Sequence, residues 1–110
     1  MNIDELINSI PDAKLRKELA QWVKQWKEDD KDVEWLSRML SKWHGNVWFN
    51  NDKASRDFLN QLNLFKRNAI EGLGGLTLNE RLYFFGLFEY WEKANEVEQN
   101  KLRHKLHANA

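Results

Sequence analysis

Apolar side chains recur every three to four residues along most of the chain, a spacing typical of amphipathic helices. A short amphipathic turn runs from Ile3 to Ile10, and the first long helix is predicted from Pro11 to about Glu28. Pro11 suits the first helical position, because its missing N–H is not needed there. The apolar stripe of this helix consists of Leu15, Leu19, Trp22, Val23 and Trp26.

Two further long helices follow, and turn or cap residues bound each of them. The second runs from Val33 to Trp43, and either Asp30 or Asp32 can cap its start. We expect Gly45-Asn46 to end it in a conformation with positive φ. The third is predicted over 52–71, and its buried face is marked by Ala54, Phe58, Leu62, Phe65 and Ala69.

A glycine-rich break separates these helices from an aromatic segment that begins at Thr77. Thr77 and Glu80 have the spacing of a capping box, in which each side chain accepts the other residue's backbone N–H. We expect Gly86, inside the aromatic helix, to permit close approach of a neighbour. The inward positions of that helix are Leu78, Leu82, Phe85, Phe88 and Trp91, and a weaker tail helix carries Val97, Leu102 and Leu106.

No segment shows the sustained alternation of a strand, and the chain is therefore predicted to be all-α. Its 110 residues suffice for one continuous core and are too few for two. We expect residues 1–110 to form a single compact domain of five or six helices, as a bundle or an irregular array.

The charge balance argues against a dedicated duplex-DNA binder, since 17 basic and 17 acidic side chains cancel. The chain contains no cysteine, which excludes disulfides and thiolate metal sites. Its N-terminus carries acids where a signal peptide needs basic residues, and its longest apolar run, Leu82 to Phe88, is far short of a membrane span. A cytoplasmic protein without a membrane partner is the plain interpretation.

Six tryptophans are many for so short a chain. Trp22, Trp26 and Trp43 lie on apolar stripes and are predicted to pack in the core. Trp48, beside Phe49 in an apolar island flanked by turn residues, has no helical register. It is either a loop anchor or an aromatic that binds a partner, a role in which tryptophan is enriched. Trp48 and Phe49 are therefore candidate partner-binding residues.

Two acidic clusters are the other candidates for partner binding. The first lies at the junction of the two leading helices, and the second at the end of the aromatic helix. Carboxylates beside exposed aromatics suit a basic protein partner, because charge complementarity speeds encounter. The first cluster consists of Glu28, Asp29, Asp30, Asp32 and Glu34, and the second of Glu89, Glu92, Glu96 and Glu98. The candidate binding residues are all five acids of the first cluster, and Glu89 and Glu92 of the second.

No set of residues indicates catalysis, a cofactor or a metal. His104 and His107 stand three apart, but no carboxylate in the same turn completes a ligand set. With Lys101, Arg103 and Lys105 they are expected to form a solvated basic tail. The glycines of EGLGGLT lack the Lys-Ser/Thr of a phosphate loop, so helix termination explains them better.

The segment TLNERLYFFGLFEYWEKA, residues 77 to 94, resembles a closing segment of small bacterial proteins with the pattern T-x-N-E-R-L-x-x-x-G-L. Some of those proteins are similar to immunity proteins of contact-dependent inhibition or polymorphic toxin systems. The resemblance implies a non-enzymatic protein that binds and neutralises a cognate toxin domain, such as a nuclease. It carries over no functional residue, since Thr77 and Glu80 are interpreted as capping residues.

Two alternatives stay open from the sequence. One is a helical regulator that touches nucleic acid through Lys24, Lys27, Lys42 and Trp43 or through the basic tail. The other is a small enzyme or a component of a larger assembly.

Overall fold

The computed structural model of the chain describes residues 1–108. Seven α-helices and no strand make up this part of the chain, so the all-α prediction is confirmed. The helix α4 continues into a π-helical turn at Lys66–Glu71, and a 3₁₀ turn follows at Leu73–Gly75. The α-helices are α1 Ile3–Asn8, α2 Ala13–Glu28, α3 Val33–Asn46, α4 Lys53–Phe65, α5 Leu78–Phe84, α6 Phe88–Lys93 and α7 Glu96–Lys105.

Side-chain caps start most of these helices. In the predicted capping box, the Glu80 N–H donates to Thr77 Oγ1 at 3.1 Å and the Thr77 N–H donates to Glu80 Oε1 at 2.9 Å. At the start of α2 the cap is Asp12, which accepts from the Lys14 N–H. The prediction that Pro11 occupies the first helical position is therefore wrong, and Pro11 precedes the helix. The reason is that the Asp12 side chain supplies the acceptor that the N–H groups of the first turn need.

The core is aromatic at its centre. The fully buried rings of Trp26 and Phe85 lie 5.8 Å apart between centroids, and Phe65 lies 5.7 Å from Phe85. Two aromatics predicted to face inward do not: Trp22 and Phe88 each keep 40% of their surface exposed. The rest of the fold covers only part of each ring.

Two expectations about helix ends were wrong, one about backbone conformation and one about burial. The helix α3 runs through Gly45, which does not have positive φ, and it ends at an extended Val47 with φ −107°. In α4 the buried position in the first turn is Ser55, and Ala54 is exposed. The buried face is therefore offset by one residue from the prediction at that end of the helix.

Gly86 divides the segment that was predicted as one aromatic helix into α5 and α6. Its φ is +64°, in the left-handed region that favours glycine. A Cβ at this position would overlap Asp4 Oδ2 and lie 2.8 Å from Lys27 Nζ. The expected close approach is thus confirmed, and it is the Asp4–Lys27 ion pair, with Nζ to Oδ1 at 2.8 Å, that packs on the glycine.

The C-terminal end of α7 is held by two buried cations. Arg81, 9% exposed, donates to the backbone oxygens of Leu76, Leu106 and His107. Lys105, 5% exposed, donates to the backbone oxygen of Trp26 in the last turn of α2 and to that of Lys31, just before α3. The prediction of a wholly solvated basic tail is wrong for Lys105, because carbonyl acceptors from a distant part of the chain meet its ammonium.

Candidate protein-binding site

The acidic residues at the end of α2 line an open groove with a volume of about 690 Å³. We call it the acidic groove. One wall comes from the α2–α3 junction and the other from α6 and α7. Its defining residues are Glu28, Asp29, Asp30 and Asp32 on the first wall, and Tyr90, Val97, Glu98, Lys101 and Lys105 on the second.

Two of these carboxylates also shape the backbone of the α2–α3 junction. Asp29 Oδ1 accepts the Lys31 N–H at 2.9 Å, just after α2 ends. Asp32 caps α3 by accepting the Trp35 N–H at 3.0 Å. The acidic sequence therefore has a local cause, because a tight connection between two helices needs side-chain acceptors for its free N–H groups.

Lys105 of α7 and His107 in the turn after α7 contact the same two carboxylates. Lys105 Nζ lies 3.3 Å from Asp29 Oδ1, and His107 Nε2 lies 2.9 Å from Asp32 Oδ2. The hydrogen bond from His107 lowers the pKa of Asp32 below its usual value. Burial lowers the pKa of Lys105, and the hydrogen bond with Asp29 opposes that shift.

The remaining carboxylates give the groove net negative charge. Glu28, Asp30 and Glu98 are exposed, and Val97, which also lines the groove, keeps 64% of its surface exposed. The Tyr90 hydroxyl donates to Glu28 Oε2 at 3.1 Å. Burial and this hydrogen bond both raise the pKa of Tyr90, which keeps the phenol protonated. Such a groove can accept a cationic side chain together with an apolar contact.

Three predicted acids do not belong to this groove. Glu34 is exposed on α3, and Glu89 and Glu92 are exposed on α6, but none of them lines it. Neighbouring positions on a short helix face different directions, which is why Tyr90 enters the groove while Glu89 does not.

The two aromatic side chains of the apolar island after α3 differ in exposure. Phe49 is partly buried, with its ring 5.4 Å from Phe58 and 6.0 Å from Trp43, so it anchors the loop. Trp48 is 87% exposed and lies outside the acidic groove. That Trp48 and Phe49 bind a partner stays a prediction.

Sequence reasoning missed Tyr90, Val97 and Lys105 as parts of the site. Val97 was assigned to a packing face, yet it is the lone apolar residue in a first turn that otherwise carries Glu96 and Glu98. That isolation was the available signal. Nothing in the sequence placed Lys105 against the end of α2.

The structure removes two of the residues through which the chain was proposed to touch nucleic acid. Lys27 is engaged by both carboxylate oxygens of Asp4, at 2.8 and 2.9 Å, and Trp43 is only 2% exposed. Neither side chain is placed to touch phosphate or base. Within residues 1–108, no three histidine or carboxylate side chains gather as metal ligands would, and no helix has the length and apolar character needed to cross a bilayer.

Comparison with protein-family models, curated proteins and solved structures finds no match to this chain. The resemblance of residues 77–94 to immunity-type proteins therefore stays a prediction.

Proposed function

We propose that the chain is a non-enzymatic protein-binding domain that acts in the cytoplasm and holds a basic surface of its partner in the acidic groove. The observation that carries the proposal is that exposed Glu28, Asp30 and Glu98 line the same groove as the exposed Val97. Within this class, an immunity protein that occludes a toxin domain is the function we favour. The resemblance of residues 77–94 is the support for that narrower assignment.

The electrostatics of the groove support a basic partner. Five carboxylates line it against three lysines, and one of those lysines, Lys27, is already neutralised by Asp4. A surface of one sign steers an oppositely charged partner and raises the association rate, while buried apolar contacts slow dissociation. A nuclease domain carries cationic side chains to hold phosphate, so it presents the complementary charge.

Co-expression tests the proposal. The product of the gene next to this one, expressed alone, should impair growth, and this chain should restore growth by forming a stoichiometric complex. Absence of both rescue and complex formation would count against the immunity assignment.

Charge reversal tests the surface itself. We expect Asp30→Lys combined with Glu98→Lys to weaken the complex by at least about tenfold, mainly through slower association. The matched control is Glu34→Lys, an exposed reversal outside the groove that should change affinity little. Equal effects of the groove and control variants on the association rate would place the interface elsewhere.

A further inference from the structure

A second open groove, with a volume of about 580 Å³, lies between α2 and α3. We call it the aromatic groove. Its apolar lining comes from three tryptophans, a methionine and a valine. The apolar residues are Trp22, Trp35, Met39, Trp43 and Val47.

These apolar side chains are incompletely covered. Trp22 is 40% exposed, and Trp35 and Met39 are partly buried against the core. Trp43 is 2% exposed, and its Nε1 is the buried side-chain nitrogen or oxygen that lacks a hydrogen-bond partner among the described residues. The apolar surface that a partner can reach in this groove therefore comes mainly from Trp22, Trp35 and Met39.

The two walls of the aromatic groove carry opposite charge. The α3 side presents Lys31, Arg38 and Lys42, while the α2 side presents Glu18 and Asp29. Lys31 Nζ lies 5.2 Å from the Trp35 ring centroid and covers that ring. Asp29 is already paired with a buried lysine, which leaves the basic wall dominant.

We propose that the aromatic groove binds an amphipathic helix of a partner protein, with bulky apolar residues over Trp22 and Met39 and an acidic edge against Arg38 and Lys42. A groove between two helices can bind a third helix, whose side chains three and four residues apart would contact the groove. Glu18 on the facing wall would repel a phosphate backbone, and this favours a peptide over single-stranded nucleic acid.

This inference is independent of the acidic groove, because the dominant charge and the apolar residues of the two surfaces differ. The probe is a phage-displayed library of amphipathic helices of about 15 residues, selected on the full chain. Selected sequences should carry Asp or Glu along one edge of a bulky apolar face. Lack of enrichment, or enrichment of Lys and Arg along that edge, would overturn the proposal.

Variants then locate the bound helix. Trp22→Ala should weaken the best selected peptide by about 30-fold, as expected when an interface tryptophan is truncated, and Arg38→Glu by about tenfold. Because both side chains are exposed, circular dichroism should show an unchanged fold. Asp30→Lys and Trp48→Ala, outside the groove, should leave peptide affinity unchanged even if the acidic groove proves inactive.

Two further readouts can contradict the inference. Peptide affinity that is insensitive to both Trp22→Ala and Arg38→Glu would overturn the proposal. So would binding of oligo-dT that those two variants abolish, because it would assign the groove to nucleic acid.

Discussion

The buried ammonium of Lys105 gives the sharpest test of how the two ends of the fold are joined. Its Nζ donates to the backbone oxygens of Trp26 and Lys31, lies 3.3 Å from Asp29 Oδ1 and sits 4.4 Å from the Trp26 ring centroid. Lys105→Met keeps the apolar stem and removes every one of these interactions. Both carbonyl oxygens lose a donor that methionine cannot replace.

The expected cost follows from the number and burial of those bonds. A hydrogen bond to a charged group contributes ~1.5–3 kcal/mol, and removing one partner of a buried ion pair costs ~3–5 kcal/mol. Asp29 keeps 33% of its side chain exposed, so water recovers part of its loss. We therefore expect Lys105→Met to lower the free energy of unfolding by ~3 kcal/mol and the melting temperature by roughly 10 °C.

Urea unfolding monitored by tryptophan fluorescence measures this change. The matched control is Lys101→Met, which makes the same substitution at an exposed position one turn earlier in α7. The control should lie within about 0.5 kcal/mol of the parent chain. If both variants unfolded at the same urea concentration, the structural role assigned to Lys105 would be refuted.

The pH dependence of the same variant has a definite sign. Burial lowers the pKa of Lys105 in the folded chain, whereas the unfolded chain keeps a value of about 10.4. Between those two values the unfolded state binds more protons, so this group makes stability rise with pH. The destabilisation by Lys105→Met should therefore be larger near pH ~10 than at neutral pH.

Three further predictions follow from single contacts. The hydrogen bond with His107 lowers the pKa of Asp32, so the stability that this contact contributes should be present above pH ~3.9 and be lost as pH falls through the folded-state pKa of Asp32. In Asp32→Asn, the urea midpoint should not show this loss of stability at acid pH. Gly86→Ala should cost ~2 kcal/mol or more in thermal unfolding, whereas Gly74→Ala, with open space around it, should be near neutral. Arg81→Met should release the end of α7, measured as faster amide hydrogen exchange there than in α2.

Local patterns predicted the helices well, because their causes are local. The apolar repeat and the caps act within four residues, and the Thr77 cap and the Trp26 stripe lie where the sequence placed them. The sequence could not predict that Trp22 stays exposed. Its helical position is on the stripe, but coverage depends on how far α3 stands from α2.

The acidic groove was predictable on one wall only. The carboxylates at the end of α2 are adjacent in sequence, and the structure keeps them together. The opposite wall is distant in sequence, since Tyr90 lies 62 positions after Glu28. The 3.6-residue period of a helix therefore gives no information about which residues form that wall. The burial of Lys105 has the same origin, since its acceptors belong to the distant α2–α3 junction.

In the segment that resembles immunity-type proteins, three residues stabilise the fold, whereas Tyr90 lines the acidic groove. Glu80 caps α5, Arg81 donates to carbonyl oxygens at the end of α7, and Gly86, between α5 and α6, packs against Asp4. None of these three residues lines the groove. Changes there should reduce binding through unfolding, whereas reversal of the exposed Asp30 should reduce binding without loss of stability. Measuring both quantities on the same variants therefore separates the role of these three residues from the role of the acidic groove.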